Sequence, residues 1–326
     1  MRRVLSAVLT LAACSGADPG AARFTKDQCR MVRVVDEATG APVVGAEDIA
    51  LSDPAANDPA TLWISAYDRL ADEPGGVYRL ALDALAEADP AVRPVLGDVR
   101  PHGLAASGAS AARFISRKPD GAAVVELVVV TPGGVVREVE TDVPCGANDL
   151  VAVRETVTYT VDREVCKGAI RERLFAARAG RVERTAGPDR PAGRTLASGL
   201  RLPNGIAGWR GDIWVAEMLE KRLVLLGGER TIALPGAPDN LNSSDEGIVA
   251  ALQPSLWRFG LYRYGYAKRA PTRIVLVDPE TDEVELLFED PNGRLLPGAT
   301  AAVLKDGLMV ASSVRGTALL VCGASA

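Results

Sequence analysis

Residues 47 to 49 read Glu-Asp-Ile, and four more tripeptides of the same kind follow along the chain. Each places a polar pair, or a polar residue and a glycine, before leucine or isoleucine; they are His102-Gly103-Leu104, Asn148-Asp149-Leu150, Asn204-Gly205-Ile206 and Asp239-Asn240-Leu241. We call these five the start tripeptides, because a run of strand-forming residues usually follows. A weaker sixth candidate is Thr300-Ala301-Ala302-Val303. Repeats of roughly 40 to 50 residues made of short strands are typical of propeller blades. Six starts therefore predict an all-β fold, a six-bladed β-propeller with a central channel.

The segments between the start tripeptides also indicate short strands. Apolar runs such as Val124 to Val130 and Ile274 to Val277 are separated by turn sequences such as Pro132-Gly133-Gly134 and Asp306-Gly307. The chain has 32 glycines and 21 prolines, which favours many turns over long helices. The best helix candidate is Leu80 to Ala88, although a strand followed by a turn would also explain it.

Composition excludes some classes of function. The 326 residues are 48% hydrophobic, enough for a sizeable core. A net charge of −5 argues against nucleic acid as the main partner. There is a single histidine, which rules out a zinc site with two or three histidine ligands and leaves one imidazole for catalysis.

The N-terminus is predicted to direct export. Residues 1 to 14 read MRRVLSAVLTLAAC, with two arginines before an apolar stretch of ten residues. This stretch is too short to span a bilayer and is typical of a signal peptide. Leu11-Ala12-Ala13-Cys14 resembles a bacterial lipobox, so we predict a lipoprotein signal peptide at 1–13, a tether at 14–28 and the propeller at 29–326. Lipidated Cys14 would anchor the protein to a membrane, facing the periplasm or the cell surface; the alternative is an ordinary secretory signal.

Four further cysteines remain, Cys29, Cys145, Cys166 and Cys322. An even number in an exported protein favours disulfides. A Cys29–Cys322 bridge would tie the first strand to the last and close a circular fold, and Cys145–Cys166 then follows by elimination. Four buried free thiols are the alternative.

The start tripeptides also predict a metal site. In a propeller the innermost strands begin near the axis, so residues at equivalent starts converge there. The oxygen-bearing side chains are Glu47, Asn148, Asn204, Asp239 and Asn240, a set that suits Ca²⁺ better than octahedral Mg²⁺. Asp48 and Asp149 lie one residue further on and could hold a second, deeper cation. The alternative is that these residues only mark turns.

The start tripeptides and their neighbours resemble the paraoxonase/arylesterase family, a relative of the gluconolactonase-like propellers. The resemblance runs roughly from residue 29 to 322. The residues that carry it are Gly45-Ala46-Glu47-Asp48-Ile49, Arg100-Pro101-His102-Gly103-Leu104, Asn148 to Val153, Asn204-Gly205-Ile206 and Asp239-Asn240. Cys29 and the closing Ala318-Leu319-Leu320-Val321-Cys322 resemble that family's end-to-end disulfide. The resemblance implies a six-bladed propeller with two calcium ions that hydrolyses lactones and aryl esters.

Carried over residue by residue, the resemblance assigns roles. The catalytic calcium would take Glu47, Asn148, Asn204, Asp239 and Asn240, and the structural calcium would take Asp48, Asp149 and the carbonyl of Leu104. His102 falls on the family's active-site histidine; the alternative is a channel-lining group that makes only structural hydrogen bonds. The positions of two further histidines fall near Thr131 and Gln253, neither of which can act as a base, so a two-histidine relay is absent.

The sequence thus predicts a calcium-dependent lactonase or arylesterase acting on a small lactone or ester, with His102 assisting the activation of water. A sugar-lactone hydrolase and a non-catalytic, calcium-stabilised binding propeller are the alternatives, and nothing in the sequence bears on oligomeric state.

One segment, 254–270, mixes aromatic and basic residues. It is read as a substrate-facing lid or membrane-contacting loop, or else as a strand pair with outward charges; single-stranded nucleic acid is a poor partner for an exported acidic protein.

Overall fold

The computed structural model describes residues 20–52, 60–153, 156–163, 178–186 and 193–323. The predicted signal peptide, Cys14 and Cys166 lie outside these ranges. Within them the chain forms six sheets, each with a main body of four antiparallel strands, arranged as the blades of a propeller. The innermost strand of every blade contacts the innermost strands of both neighbouring blades. The prediction of a six-bladed β-propeller is confirmed.

The strands of each blade follow one another along the chain, and blade 6 is completed by the first strand. Blade 1 contains β3 (Ala46–Leu51), β4 (Thr61–Asp68), β5 (Glu73–Ala81) and β6 (Ala91–Val99), with β2 (Val35–Asp36) at its outer edge. Blade 2 contains β7 (Pro101–Ala106), β8 (Ala111–Arg117), β9 (Ala123–Thr131) and β10 (Gly134–Val143). Blade 3 contains β11 (Ala147–Val153), β12 (Thr156–Val161), β13 (Gly180–Arg184) and β14 (Arg194–Leu200).

The remaining three blades repeat this order. Blade 4 contains β15 (Pro203–Trp209), β16 (Asp212–Glu217), β17 (Arg222–Leu225) and β18 (Thr231–Ala233). Blade 5 contains β19 (Ala237–Ser244), β20 (Gly247–Gln253), β21 (Thr272–Val277) and β22 (Val284–Asp290). Blade 6 contains β23 (Ala299–Lys305), β24 (Leu308–Ser313), β25 (Ala318–Cys322) and β1 (Cys29–Arg33).

The two ends of the described chain close the ring. Strand β1 pairs antiparallel with β25, and Cys29 lies directly opposite Cys322. The two cysteines form the predicted disulfide, with their Cα atoms 4.1 Å apart. Cys145 is disulfide-bonded as well, whereas Cys166, its predicted partner, lies outside the described residues. Disulfides persist in oxidising compartments, which indicates an extracellular or periplasmic location.

Apolar side chains fill the interfaces between neighbouring blades. Six buried clusters lie one at each of the six interfaces, including the one that joins blade 6 to blade 1. Trp63 and Phe114, for example, are fully buried between blades 1 and 2. The inner strands of each blade are therefore buried over most of their length, whereas outer strands such as β10 are largely exposed.

Two segments with ambiguous patterns form helices. In residues 80 to 88, strand β5 continues to Ala81, and the 3₁₀ helix Leu82–Ala86 follows. A shorter 3₁₀ helix spans Lys26–Gln28. In residues 254 to 270, the α-helix α1 (Leu256–Arg263) forms, capped by the Ser255 side chain, which accepts a hydrogen bond from the Arg258 N–H. The strand-pair reading of this segment was wrong.

Packing of its buried face against neighbouring loops stabilises helix α1. Phe259 and Tyr262 lie three residues apart, on one face of a helix. Both are buried against Ala270 and Val314 of the blade 5 and blade 6 loops. No helix in the part of the chain described here is long and apolar enough to cross a bilayer.

Part of the predicted tether is docked on the propeller. The N–H groups of Arg23 and Phe24 donate to the carbonyls of Leu286 and Leu287. The Phe24 ring is buried among the residues between blades 5 and 6. Any flexible tether therefore ends before Arg23.

Replacing both Cys29 and Cys322 by serine should lower the free energy of unfolding by about 2–5 kcal/mol, because the bridge restricts the unfolded chain. Chemical denaturation followed by tryptophan fluorescence measures this. Wild-type protein in a reductant should show a loss at least as large, since Cys145 is bridged too. An unchanged denaturation midpoint in the double variant would contradict the closing role of the disulfide.

Candidate active site

Every innermost strand carries a register irregularity at its start. The pairing with the second strand shifts between Ala46 and Asp48 in blade 1, and shifts in the other five blades at the corresponding place. Such a bulge frees backbone groups from the sheet and re-aims the side chains. The predicted site residues all lie at these strand starts and are all buried: Glu47, Asp48, His102, Leu104, Asn148, Asp149, Asn204, Asp239 and Asn240.

Asp48 and Asp149 each accept hydrogen bonds from two backbone N–H groups, one in the residue's own blade and one in the next blade. Asp48 accepts hydrogen bonds from Ile49 (2.9 Å) and from Leu104 of blade 2 (2.8 Å). Asp149 accepts from Leu150 (2.7 Å) and from Ile206 of blade 4 (2.9 Å). Leu104, whose carbonyl the resemblance assigns to a structural calcium, therefore presents its N–H to Asp48.

These two carboxyl groups have raised pKa values. Complete burial, and after it the charge of Asp149, hold the pKa of Asp48 well above its ordinary range. Burial likewise raises the pKa of Asp149 to about 8. A nearby cation would offset this cost, because it favours the charged form of a carboxyl.

Asp239 and Asn204 lie together on the axis. Gln253 Nε2 donates to Asp239 Oδ2 (3.1 Å) and to the Ala299 carbonyl (2.7 Å), so the residue at this predicted histidine position supports the site structurally. Burial raises the pKa of Asp239 to about 6. The Asn204 side-chain oxygen Oδ1 is buried and has no hydrogen-bond partner among the described residues, which is costly unless a ligand satisfies it.

His102 is held by a carboxylate and an arginine. Its Nδ1 contacts Glu47 Oε2, and Arg69 Nη2 contacts the same oxygen and lies 3.2 Å from Nδ1. A carboxylate can only accept, so we assign the proton to Nδ1. Nε2 then carries the lone pair, and it makes no hydrogen bond within the described part of the chain.

The surroundings of His102 favour the neutral form of its imidazole. Burial is the main cause that holds its pKa well below the ordinary value, and the charges of Arg117, Arg69, Arg263 and Arg163 lower it further. A neutral imidazole with a free lone pair is competent to accept a proton.

A cavity of about 690 Å³ opens above these residues. His102, Asn148 and Asn204 form part of its floor, and Tyr67 lies beside them. Helix α1 and the residues that follow it form one wall, with Leu202, Met218 and Leu219 of blade 4 next to it. A cavity of this size is typical of a small-molecule site.

Thr131, where the resemblance placed a second histidine, lies away from this cavity. Pro101, next to His102, pairs with Ser116 at the end of β8, and β9 runs from there to the opposite end of the blade. Thr131 closes β9 at that far end, against the turn at Gly134. The expectation that Thr131 occupies a site position was wrong, because β9 ends on the opposite face of the propeller.

Four arginines that act on His102 were not among the predicted site residues, although Arg263 lies in the segment 254–270 that was noted as basic. Arg69, Arg117 and Arg163 lie at or just after the ends of the second strands of blades 1, 2 and 3, β4, β8 and β12. Arg263 is the last residue of α1 and lines the cavity. The signal that could have found the first three is their shared place, the end of the strand antiparallel to each innermost strand.

A calcium ion takes about six to eight oxygen ligands. No three His, Cys, Asp or Glu side chains within the described ranges come close enough to hold a metal ion by themselves. A cation on this axis would therefore depend also on the amide oxygens of Asn148, Asn204 and Asn240. The unpartnered Asn204 Oδ1 and the buried carboxylates are oxygen donors of the kind that Ca²⁺ takes, and Glu47 would have to give up part of its pairing with Arg69 to bind such an ion.

Comparison with known proteins supports the fold. No protein-family model and no curated protein matches the chain. A luciferin-regenerating enzyme superposes with a TM-score of 0.53 and 14% identity, covering 86% of this chain and 95% of that one. Virginiamycin B lyase from Staphylococcus aureus gives 0.50 and 11%, covering 91% and 99%. A chain of a nidogen/laminin complex gives 0.51 and 13%, covering 77% and 83%. At these identities the likeness shows the fold alone.

Two glycines of the start tripeptides are required by close approach of the backbone. A Cβ on Gly103 would lie 2.4 Å from Asp149 Cα, and one on Gly205 would lie 2.5 Å from the Asp239 carbonyl oxygen. The start tripeptides of blades 2 and 3, and of blades 4 and 5, therefore pack directly on each other.

Gly103→Ala should lower the free energy of unfolding by about 1–3 kcal/mol or more, since the added methyl group overlaps backbone that cannot move aside. Gly97→Ala is the matched control, because a Cβ there meets open space. Thermal unfolding of both variants is the measurement. Equal stability of the two would show that blades 2 and 3 are not packed as described.

Proposed function

We propose that this protein is a calcium-dependent hydrolase of lactones or aryl esters. The observation that carries the proposal is His102: its Nδ1 is bound to the Glu47 carboxylate, and its ring lines a cavity whose floor includes the unpartnered Asn204 oxygen. The resemblance of the start tripeptides to the paraoxonase/arylesterase family supports the same reaction.

The chain's own residues account for the movement of the proton. Glu47 holds the Nδ1–H of His102, which leaves the Nε2 lone pair directed away from this contact. Nε2 accepts a proton from a water molecule as that water attacks the acyl carbon of the substrate. The bond from the acyl carbon to the leaving oxygen breaks, and His102 returns the proton to that oxygen, so the base is restored.

The residues that would hold calcium lie on the propeller axis. Glu47, Asn148, Asn204, Asp239 and Asn240 would bind one ion, and a second would take Asp48, Asp149 and the carbonyl of Leu104. A bound calcium ion would polarise the ester carbonyl and stabilise negative charge that develops on its oxygen.

One wall of the cavity suits the apolar part of an aryl ester or aliphatic lactone, since Leu202, Met218, Leu256 and Trp257 give it an apolar surface. We further propose that the protein is exported as a lipoprotein anchored through Cys14, since the disulfides agree with an oxidising compartment.

His102→Gln should lower kcat for phenyl acetate by about 10²-fold or more, because glutamine fills the space but cannot accept the proton. The assay is release of phenol at saturating calcium. Thr131→Ala, on the opposite face, is the control and should retain the wild-type rate. An unchanged rate in His102→Gln, with no loss of thermal stability, would exclude His102 as the base.

Chelation should abolish hydrolysis of phenyl acetate and of a lactone panel, and it should lower the melting temperature; added calcium should restore both. A calcium concentration of about 100 times Kd would stabilise the folded chain by about 2.7 kcal/mol. Identical melting temperatures in chelator and in excess calcium would contradict the calcium sites.

Two asparagine variants make the calcium test specific. Asn204→Ala removes the unpartnered oxygen and should reduce the calcium-dependent rise in melting temperature. Asn242 donates to the carbonyls of Ile49 (2.9 Å) and Ala302 (3.1 Å). Asn242→Ala should therefore lower stability with and without calcium, while the rise caused by calcium stays the same.

A further inference from the structure

Four arginines act on His102 through their charge, and three of them, Arg117, Arg163 and Arg263, line the cavity. Arg69 pairs with Glu47, and Arg163 Nη1 pairs with the Asp162 carboxylate at 2.7 Å. Arg263 Nη1 lies 3.9 Å from Glu47 Oε1. Arg69 and Arg163 are therefore partly neutralised by carboxylates, whereas the carboxylate nearest Arg263 is further away.

Arg117 is the most unusual member of this group. Its guanidinium donates to the backbone carbonyls of Cys145 (2.6 Å) and Ala147 (2.8 Å), and it forms no ion pair with a carboxylate in the described ranges. Burial and the charge of Arg163 lower its pKa to about 10, against the opposing effect of the Asp162 carboxylate. A partly buried cation whose direct partners are neutral carbonyls is costly, and a bound anion would reduce that cost.

The other wall of the cavity is apolar. Leu256, Trp257 and Leu261 of helix α1 face it together with Met218 of blade 4. The Trp257 side chain is 74% exposed. The two walls therefore differ in chemistry, with guanidinium groups around the floor and apolar side chains along the helix.

We propose that this cavity binds an amphiphilic small molecule whose oxyanion group, a carboxylate or a phosphate monoester, lies against Arg263, Arg163 and Arg117 and whose apolar part lies along α1. Guanidinium groups suit both oxyanions, because their planar donors match the paired oxygens. The identification of this molecule as the substrate, an anionic lactone or ester, rests on the proposed hydrolase function; the binding itself does not.

The geometry favours a free small molecule over a membrane lipid. Arg117, Arg163 and Arg263 line the cavity together with His102, which is buried, and the Arg263 side chain is 30% exposed. A cavity of about 690 Å³ accommodates a compact ligand, not a lipid with two acyl chains.

The test measures binding of octanoate and octyl phosphate by isothermal titration calorimetry, without turnover and in both chelator and calcium. Octanol and acetate are the comparison ligands, since the first lacks the charge and the second lacks the chain. Both anionic amphiphiles should bind at least tenfold more tightly than either comparison ligand. Vesicles of phosphatidylglycerol form a further arm, in which protein without the lipid anchor (Cys14→Ser) should not sediment with them.

Arg263→Gln should weaken octanoate binding by about tenfold or more, the loss expected for one charge-assisted hydrogen bond. Arg258→Gln is the matched control, because Arg258 lies on the same helix but is exposed and does not line the cavity. It should bind octanoate as the wild type does.

The proposal is overturned if octanol binds as tightly as octanoate, if Arg263→Gln and Arg258→Gln are indistinguishable, or if sedimentation with vesicles accounts for the binding. Charge-dependent binding that Arg263→Gln weakens supports it even if no ester is hydrolysed, and in that case only the hydrolase function fails. Hydrolysis of phenyl acetate without octanoate binding leaves the hydrolase and removes this inference.

Discussion

The hydrogen bonds from backbone N–H groups to two buried carboxyls are the constraint on which the site depends. Asp48 joins blade 1 to blade 2 through Leu104, and Asp149 joins blade 3 to blade 4 through Ile206. These N–H groups are available because a bulge at each strand start releases them from the sheet. The same bulges aim the neighbouring polar side chains at the axis, so the geometry that ties the blades together also builds the site.

The start tripeptides alternate around the ring for a steric reason. In blades 1, 3 and 5 the second residue is Asp48, Asp149 or Asn240, whereas in blades 2, 4 and 6 it is glycine or alanine. Gly103 packs against the backbone of Asp149, and Gly205 packs against the backbone around Asn240. A side chain at every position would not fit near the axis, so the ring holds three large second residues and three small ones.

Features that depend on local motifs could be predicted from the sequence, and features that depend on distant contacts could not. The start tripeptides and the terminal cysteines predicted the blade number, the polar axis and the Cys29–Cys322 bridge, because these depend on local motifs at fixed places in each blade. Helix α1 was not predictable from the alternation in Leu261 to Tyr266, since the burial of Phe259 and Tyr262 against distant loops decides it. The positions of the arginines and of Thr131 relative to the cavity depend on which end of each strand faces the cavity. To predict them, the strand lengths would have to be known.

Glu47 links the charge of the cavity to the orientation of the only histidine. Its Oε2 is shared by His102 and Arg69, while its Oε1 lies 3.9 Å from Arg263. A cation bound at Glu47 would compete with the arginines for this carboxylate and leave them more in need of another anion. The arginine cluster and a metal on the axis are therefore not independent. A cation would take the Glu47 carboxylate away from the arginines, and an anionic ligand would replace that carboxylate beside them. The cation and the anionic ligand should therefore each favour the binding of the other.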